Sequence, residues 1–198
     1  MVQFKNVSFV DLLDSISSNS PVPGGGSVSA LLLSLAGALS RKVCSISKKQ
    51  GYLPEYNDKC ASIIQKGLEL AEEDADKYLK VIESFRHKTG IKDSLHQAAL
   101  TPLKISFEGL AFMDTALDLS LKGNSKAITD ALISSLMAQI ATLGGILNAR
   151  INLEEMPPGS LRDEIISCLK EIINNYRSKE RQISAVVDSY LKTVDTFE

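Results

Sequence analysis

Residues 21–40 read PVPGGGSVSALLLSLAGALS, a proline and glycine loop followed by a long run without charge. The two prolines end any helix that precedes them. The run from Ser27 onward shows no strand-like alternation and predicts a helix that is apolar on most of its surface. Because glycine lacks a Cβ atom, Gly24, Gly25 and Gly26 allow a ligand to approach the backbone closely.

This loop has two interpretations. It leads into a helix N-terminus, where unpaired N–H groups and the helix dipole favour an anion or a polar oxygen. Alternatively, it is a tight turn between helices, with Ser27 as the N-cap residue. No lysine follows the glycines and no strand precedes them, so the loop matches neither the phosphate-binding P-loop nor the dinucleotide fingerprint. Spacing alone leaves both interpretations open.

The composition is that of an ordinary globular domain. We expect residues 1–198 to form one domain with a sizeable core. The apolar fraction of 44% and the charged fraction of 23% are typical of soluble globular proteins. The net charge is −2 and no basic run occurs, which argues against a nucleic-acid partner.

The cysteines and histidines argue against a metal site. Cys44, Cys60 and Cys168 are scattered and form no CxxC pair, which indicates a reducing compartment. His87 and His96 lie far from any cysteine in the sequence. We therefore expect no set of metal ligands.

Charge patterning favours a cytoplasmic protein. Asp11 and Asp14 occur where a signal peptide needs an apolar run. Two longer segments, residues 15–40 and 131–149, lack charge. The first is interrupted by the proline and glycine loop and the second contains several polar residues, whereas a membrane span needs about 20 predominantly apolar residues. We expect no membrane span, and interpret both segments as central helices of a bundle or as an oligomer interface.

Helical periodicity, with start and stop signals, predicts six helices and no sheet. They are expected at residues 8–18, 27–49, 55–88, 92–122, 125–152 and from 160 to near the end. Pro102 falls inside the fourth segment and predicts a kink or a break. Because the loops are short, neighbouring helices should run antiparallel. The expected fold class is an all-α, up-and-down bundle of long helices.

One carboxylate falls on the apolar face of the third predicted helix. That face is formed by Gly67, Leu70, Ala71, Tyr78, Val81, Ile82 and Phe85. Asp74 lies within this face, whereas Glu72, Glu73 and Asp76 lie outside it, where charges are expected. An isolated buried carboxylate is costly, so Asp74 should be hydrogen-bonded, paired or protonated. It is either a functional group or a structural partner of a helix end or a cation.

A second carboxylate, Asp130, precedes the uncharged part of the fifth helix. One side of that helix carries Asp130, Ser134, Met137, Ala141, Gly144, Gly145 and Asn148, with Asn152 close to the same line. Each glycine inside a helix costs about 1 kcal/mol relative to alanine. Close helix packing, or a ligand against the backbone, should compensate. Asp130 is equally compatible with a surface position that interacts favourably with the helix dipole.

Together these motifs resemble those of the cyclodeaminase/cyclohydrolase family. It comprises the C-terminal domain of formiminotransferase-cyclodeaminase and the free-standing methenyltetrahydrofolate cyclohydrolases. The matching blocks occur in the family's order over nearly the whole chain: Pro21 to Ser27, Glu73-Asp74-Ala75-Asp76, Gly123-Asn124 with Thr129-Asp130-Ala131, and Asn148-Ala-Arg-Ile-Asn152-Leu153. Thr129 replaces the family's serine and keeps the hydroxyl, and Ala149 replaces a valine.

The resemblance implies a folate one-carbon enzyme that acts on a tetrahydrofolate derivative, which can be polyglutamylated, without a metal or redox cofactor. Its first implication is hydrolysis of the 5,10-methenyl bridge of tetrahydrofolate to the 10-formyl form. One alternative is formiminotetrahydrofolate cyclodeaminase activity, in which the ring closes and ammonia leaves. The other is a non-catalytic helical scaffold or folate-binding module.

The resemblance also implies the site residues. Asp74 and Asp130 are the expected catalytic carboxylates, because a carboxylate suits a base for water or N10 and a partner for a cationic amidine. The expected substrate-binding residues are Gly24, Gly25, Gly26, Ser27, Asn148 and Asn152.

Asp130 and Asn148 cannot hold the same small reacting group within one chain. They are eighteen residues apart on one helix, roughly 27 Å at about 1.5 Å per residue. In an up-and-down bundle, Asn148 and Asn152 lie near the glycine loop and Asp130 lies at the opposite end. A homodimer with sites near its two-fold interface would let Asp130 of one subunit complete the site of the other. Otherwise Asp130 only caps a helix or contacts another part of the ligand.

Overall fold

The computed structural model describes residues 3–47 and 54–196, and no strand occurs in those ranges. The α-helices are α1 (Phe9–Ser17), α2 (Gly25–Ile46), α3 (Pro54–His87), α4 (Ile91–Lys122), α5 (Ile128–Glu155) and α6 (Ser160–Leu191). Short 3₁₀ helices span Phe4–Asn6, Ser125–Ala127 and Lys192–Thr196. The predicted all-α class is confirmed.

Capping explains where the first two helices begin. The Ser8 hydroxyl caps α1 and accepts a hydrogen bond from the Asp11 N–H at 3.1 Å, as predicted. The interpretation of Ser27 as the N-cap and the predicted helix start at residue 27 are both wrong, because α2 begins at Gly25 with Gly24 as its N-cap. Gly24 has no side chain that could accept a hydrogen bond from the first N–H groups of α2. The acceptor for these groups therefore comes from another helix. The predicted end of this helix, near residue 49, lies outside the described residues.

Pro102 does not interrupt its helix, so of the two predicted outcomes, a kink or a break, the break is wrong. α4 runs through Pro102 from Ile91 to Lys122. Proline has no N–H, so the carbonyl of Ala98, one turn earlier, loses its usual helical donor. The Asn152 side chain replaces that donor, because its Nδ2 donates to the Ala98 carbonyl oxygen at 2.9 Å.

Helices α2 to α5 form an up-and-down bundle in which each packs against its neighbours in sequence, and α2 closes against α5. The start of α3 meets the end of α4, where the Tyr56 hydroxyl donates to Asp118 at 2.8 Å. The end of α3 meets the start of α4, where the hydroxyls of Ser84 and Ser94 are 2.7 Å apart. α6 packs across α4 and α5. The predicted antiparallel order of these helices is confirmed.

The adjacent glycines of α5 serve helix packing. A Cβ atom at Gly144 would overlap the Ser29 side chain of α2. A Cβ atom at Gly145 would come within 2.6 Å of the Ser106 backbone nitrogen and 2.7 Å of the Pro102 carbonyl oxygen, both in α4. The two glycines therefore bring α5 close to α2 on one side and to α4 on the other, which offsets their low helix propensity.

Two helical stretches, Gly25–Ile46 and Ser125–Glu155, are long and apolar enough to cross a membrane by length and composition. Half of the most apolar window of each is buried inside the fold. Core helices of soluble proteins also have this composition. The unburied half contributes to an exposed apolar surface that is described below.

Candidate active site

A cavity of about 640 Å³ opens at the end of the bundle where α2 begins and α5 ends. This volume is within the range of small-molecule binding sites. The lining residues come from the glycine loop, α3, α4 and α5: Pro21, Val22, Gly24, Gly25, Gly26, Asp74, Tyr78, Val81, Ile82, Phe85, Leu95, Ala98, Asn148, Ile151, Asn152 and Glu155.

The cavity brings together most of the residues that the sequence singled out. Six of the eight expected site residues line it, namely Gly24, Gly25, Gly26, Asp74, Asn148 and Asn152. Ser27 does not line it but holds Asp74 in place. Asp130 does not line it and lies at the opposite end of the bundle. The antiparallel arrangement of α2 and α5 explains this grouping, because it places the end of α5 beside the start of α2.

Asp74 lies against the N-terminus of α2. The Ser27 hydroxyl donates to Asp74 Oδ2 at 2.9 Å, and the Ser27 backbone N–H also bonds this carboxylate. Asp74 therefore caps α2 from α3, which is the structural role that the sequence left open. The same carboxylate lines the cavity, so capping and contact with a ligand are compatible.

Burial raises the pKa of Asp74 above its ordinary value, and the negative charge of Glu73 acts in the same direction. The hydrogen bonds from Ser27 partly oppose this shift. A partly desolvated carboxylate with a raised pKa, in contact with a cavity, is typical of a catalytic base.

The close approach of Asp74 explains one of the three glycines. A Cβ atom at Gly26 would come within 2.6 Å of Asp74 Cγ and overlap its oxygens. A Cβ atom at Gly25 would make a contact of 3.4 Å with the Asn148 amide nitrogen, whereas one at Gly24 would meet nothing within 4 Å. Gly26 is thus required for the contact between α2 and Asp74.

The two asparagines of α5 are anchored by one hydrogen bond each. Asn148 Nδ2 donates to the Gly144 carbonyl at 2.8 Å, and Asn152 Nδ2 donates to the Ala98 carbonyl at 2.9 Å. Both residues line the cavity. Since an amide offers further donor and acceptor capacity, each side chain keeps groups that can bond a ligand.

Asp130 forms an ion pair at the other end of the bundle. Its Oδ2 lies 2.7 Å from Lys42 Nζ, near the end of α2. Lys42 is seventeen residues from Gly25 along that helix, or roughly 25 Å. The structure of the single chain therefore does not bring Asp130 to the cavity.

Sequence reasoning assigned several cavity residues to the core. Tyr78 and Phe85 belong to the apolar face of α3, yet they are 45% and 48% exposed and line the cavity with Ile82. Ile151 and Glu155 of α5 and Leu95 and Ala98 of α4 also line the cavity and were missed. One signal in the sequence could have identified Tyr78. It lies one helical turn after Asp74 on the same face of the helix, so it is expected close to any site that contains Asp74.

Glu73, next to Asp74, is occupied by other contacts. It accepts hydrogen bonds from Thr101 at 3.1 Å and from Lys104 at 2.9 Å. Burial alone would raise the pKa of Glu73, but the bond and charge of Lys104 outweigh it, so the pKa lies below its ordinary value. Glu73 therefore remains ionised.

Within residues 3–47 and 54–196, no three His, Cys, Asp or Glu side chains converge in a way that could hold a metal ion.

Comparisons with known proteins agree on one family. A family model described as formiminotransferase-cyclodeaminase matches residues 8–171. The methenyltetrahydrofolate cyclohydrolase of Methylorubrum extorquens is 21% identical over 202 residues, covering 93% of this chain and 97% of that protein. A solved structure of formiminotetrahydrofolate cyclodeaminase from Thermotoga maritima matches with a TM-score of 0.82 at 20% identity, covering 94% of this chain and 98% of the other.

Proposed function

The chain belongs to the formiminotransferase-cyclodeaminase family, and on this premise we propose that it is a methenyltetrahydrofolate cyclohydrolase. The proposed reaction adds water to the 5,10-methenyl bridge of tetrahydrofolate and yields 10-formyltetrahydrofolate. The Methylorubrum extorquens cyclohydrolase, which matches over nearly the full length of both chains, supports this activity.

The charge of the cavity is the observation that carries the proposal. Among the described residues that line it, the charged ones are two carboxylates, Asp74 and Glu155. The 5,10-methenyl bridge is a cationic amidine, so carboxylates attract it, whereas a lysine or an arginine would repel it. The exposed rings of Tyr78 and Phe85 offer flat apolar contacts for the aromatic parts of a folate.

Asp74 is the proposed general base. Its carboxylate removes a proton from water as the oxygen adds to the bridge carbon, giving a neutral tetrahedral carbinol and protonated Asp74. The carbon–N5 bond then breaks, N5 takes the proton from Asp74, and the carbinol hydroxyl becomes the formyl carbonyl. The hydroxyl proton passes to Asp74 and then to solvent, which restores the carboxylate. The net reaction converts the cation and water into the formyl product and one proton.

The N-terminus of α2 and the asparagines of α5 are the proposed binding groups. The first helical hydrogen bond of α2 runs from the Val28 N–H to the Gly24 carbonyl, so the N–H groups of Gly25 and Gly26 have no helical acceptor. We place the pterin carbonyl or the developing oxygen near these donors. Asn148 and Asn152 then bond the pterin edge.

The proposed chemistry needs no metal or redox cofactor. The bridge carbon is already electrophilic because the amidine is cationic, and no electrons are transferred. The three cysteines, all within the described ranges, form no disulfide.

The activity is tested by the absorbance of the methenyl group. The purified protein is incubated with 5,10-methenyltetrahydrofolate, and loss of this absorbance with formation of the 10-formyl product supports the proposal. An Asp74→Asn variant serves as the control for uncatalysed hydrolysis. A rate equal to that of the variant and of buffer would overturn the cyclohydrolase assignment.

Formiminotetrahydrofolate cyclodeaminase activity is the second candidate, favoured by the description of the matching family model. The same cavity would serve it, with Asp74 removing the proton from N10. With 5-formiminotetrahydrofolate as substrate, appearance of the methenyl absorbance together with ammonia would support this activity. If neither substrate reacts but folate binds equally well to wild type and Asp74→Asn, the chain is a non-catalytic folate-binding protein.

We further propose a homodimer formed through α2 and α5. The outer face of α5 exposes apolar residues at helical spacing: Ile133, Leu136, Ile140, Leu143, Leu147 and Ile151. Leu35 and Ile46 of the adjacent α2 are also exposed. We call this surface the α2/α5 face. A continuous apolar surface of this kind favours association with another protein surface.

A two-fold axis across the α2/α5 face would also assign a role to Asp130. The exposed row of α5 runs from Ile133 to Ile151, so its midpoint is near residue 142. In an isologous pairing about that point, the start of α5 lies beside the end of the partner's α5. The partner's Asp130 then approaches the end of the bundle that carries Asn148 and Asn152, as the sequence led us to expect.

A further inference from the structure

One stretch of α4 holds groups on two sides of the candidate active site. Its Ala98 carbonyl accepts a hydrogen bond from Asn152 of α5. Its Thr101 hydroxyl and Lys104 ammonium both donate to Oε1 of Glu73 on α3, at 3.1 Å and 2.9 Å. Thr101, Lys104 and Glu73 do not line the cavity. These three residues therefore act on a ligand in the cavity only through a neighbouring residue.

The neighbour of Glu73 is Asp74, the proposed base. The two carboxylates belong to consecutive residues of α3 and point to different elements. Asp74 meets the start of α2, where the Ser27 hydroxyl donates to it at 2.9 Å, whereas Glu73 meets α4. Because the helix fixes their separation, the charge of Glu73 acts on Asp74 at a constant short range. Lys104, at 2.9 Å from Glu73, offsets part of that charge.

The other charged and titratable groups around Asp74 come from α3 and α5. Tyr78 and Glu155 line the same cavity, and the charge of Lys77 acts on Glu73. Helix α2 adds no charge on its side, since residues 24–40 contain no charged side chain. From α4, the charge that reaches Asp74 through Glu73 is that of Lys104. It can be removed without altering the lining of the cavity.

We propose that Lys104 is a positioning residue for the reaction, because its ion pair with Glu73 fixes the electrostatic environment in which Asp74 gains and loses its proton. This inference rests on the proposed function, in which Asp74 is the general base. The bond and charge of Lys104 lower the pKa of Glu73 and keep it ionised. The charge of Glu73 in turn raises the pKa of Asp74. The ion pair thus sets the pH above which Asp74 is a free base.

The test follows the protonation of Asp74 directly. The ¹³C resonance of its carboxyl carbon is titrated by NMR in the ligand-free protein and assigned by its loss in Asp74→Asn. Lys104→Met leaves the charge of Glu73 without its partner, so the midpoint should move to higher pH by roughly 0.3 to 1 unit. Glu73→Gln keeps an oxygen that accepts from Thr101 and Lys104 but removes the negative charge, so the midpoint should move to lower pH. The double variant should lie between the two.

Activity should follow the same order. The acid limb of kcat/KM for 5,10-methenyltetrahydrofolate should move with the midpoint, because Asp74 accepts a proton only when it is ionised. KM above this limb should be unchanged, since neither residue lines the cavity. Lys122→Met is the matched control. Lys122 pairs with Asp118 at 3.0 Å on the same helix, eighteen residues from Lys104, or roughly 27 Å, and its loss should leave the midpoint unmoved.

A purely structural ion pair gives a different result. It predicts a lower Tm for Lys104→Met with an unmoved midpoint, and that outcome would overturn the inference while the proposed function stands. Shifts of the same sign in Lys104→Met and Glu73→Gln would also overturn it, because opposite charges act on Asp74 in opposite directions. Absence of turnover in wild type would overturn the proposed function, and with it the role of Lys104 in the reaction, even where the midpoints move as expected.

Discussion

At the scale of single residues, Asp74 affects both the stability of the fold and the proposed catalysis. Its carboxylate accepts two hydrogen bonds from Ser27 at the start of α2, yet its raised pKa shows that burial disfavours the charged form overall. Because the folded state holds this proton more tightly than the unfolded state, stability falls as the pH rises from the unfolded pKa to the folded pKa. At a pH above its folded pKa, the chain therefore carries the full cost of ionising Asp74.

Replacement of Asp74 should separate stability from activity. Asp74→Asn keeps an oxygen that can accept from Ser27 and removes the buried charge. We expect a Tm equal to or above that of wild type at neutral pH, with the difference diminishing as the pH falls through the raised folded pKa toward the ordinary aspartate pKa of 3.8. We also expect a loss of kcat of roughly 10²- to 10⁴-fold, as for removal of a general base. Thermal unfolding across pH and steady-state kinetics measure the two effects.

Asp76→Asn, on the same helix but outside the cavity, is the control for this substitution. It should leave kcat unchanged. An Asp74→Asn variant with wild-type turnover would remove Asp74 from the mechanism and leave it only its capping role.

The glycines of the loop give a matched pair of substitutions. Gly26→Ala places a methyl group against the Asp74 carboxylate, whereas Gly24→Ala meets nothing within 4 Å. Gly24 has a φ of −110°, which alanine adopts without strain. We expect Gly26→Ala to destabilise the fold by about 1–3 kcal/mol, as overpacking does, and to lower kcat. Gly24→Ala should be close to neutral in urea unfolding, and equal effects of both would contradict the proposed contact.

The sequence predicts Asp74 as a special residue because a charge on an apolar helix face is a local anomaly. It does not predict the Ser27 contact, because that contact joins residues 47 positions apart. The exposure of Tyr78 is missed for a related reason. An apolar face looks the same in sequence whether it meets the core or an open cavity.

At the scale of elements, the crossing of α4 and α5 depends on an exchange of hydrogen-bond donors. Pro102 leaves the Ala98 carbonyl without its helical donor, and Asn152 supplies one from α5. This exchange positions Asn152 at the cavity and keeps α4 continuous. A sequence pattern for helix breaking could not anticipate it, because the compensating donor lies fifty residues later.

A double-mutant cycle tests this exchange. Asn152→Ala should cost about 1–3 kcal/mol of unfolding free energy, because it leaves a buried carbonyl without a donor. In a Pro102→Ala background the backbone N–H of residue 102 returns, so the same change should cost less. Urea unfolding of the four proteins gives the coupling energy. Additive effects would show that Asn152 does not compensate for Pro102.

At the scale of the whole molecule, the α2/α5 face is an apolar surface that stays exposed in a single chain. Ile140 and Leu147 are 54% and 57% exposed along its centre. If this face forms the proposed homodimer, Ile140→Glu should convert the protein to a monomer in light-scattering and sedimentation measurements. Phe107→Glu is the matched control, since Phe107 is 62% exposed on α4. A monomeric wild type, or association only in detergent or lipid, would contradict the dimer.

Mixing of variants tests whether the partner's Asp130 completes the site. If each site uses Asp74 of one subunit and Asp130 of the other, Asp74→Asn and Asp130→Asn are both inactive alone. A mixed dimer of the two then contains one site with both aspartates, so activity should return to about a quarter of the wild-type level after random exchange of subunits. No recovery would contradict a site shared between subunits, and full activity of Asp130→Asn would leave Asp130 only its ion pair with Lys42.

The sequence by itself determined the six helices, their order and the loop that separates α1 from α2, because helical periodicity, caps and breakers are local properties of the chain. The sequence also identified Asp74, Asn148 and Asn152 as candidate site residues. Only the tertiary structure decided that these residues share a cavity while Asp130 lies at the other end, and that α3 turns its aromatic residues toward open space. The physical reason is that helix packing, governed by close contacts at Gly26, Gly144 and Gly145, sets which faces meet.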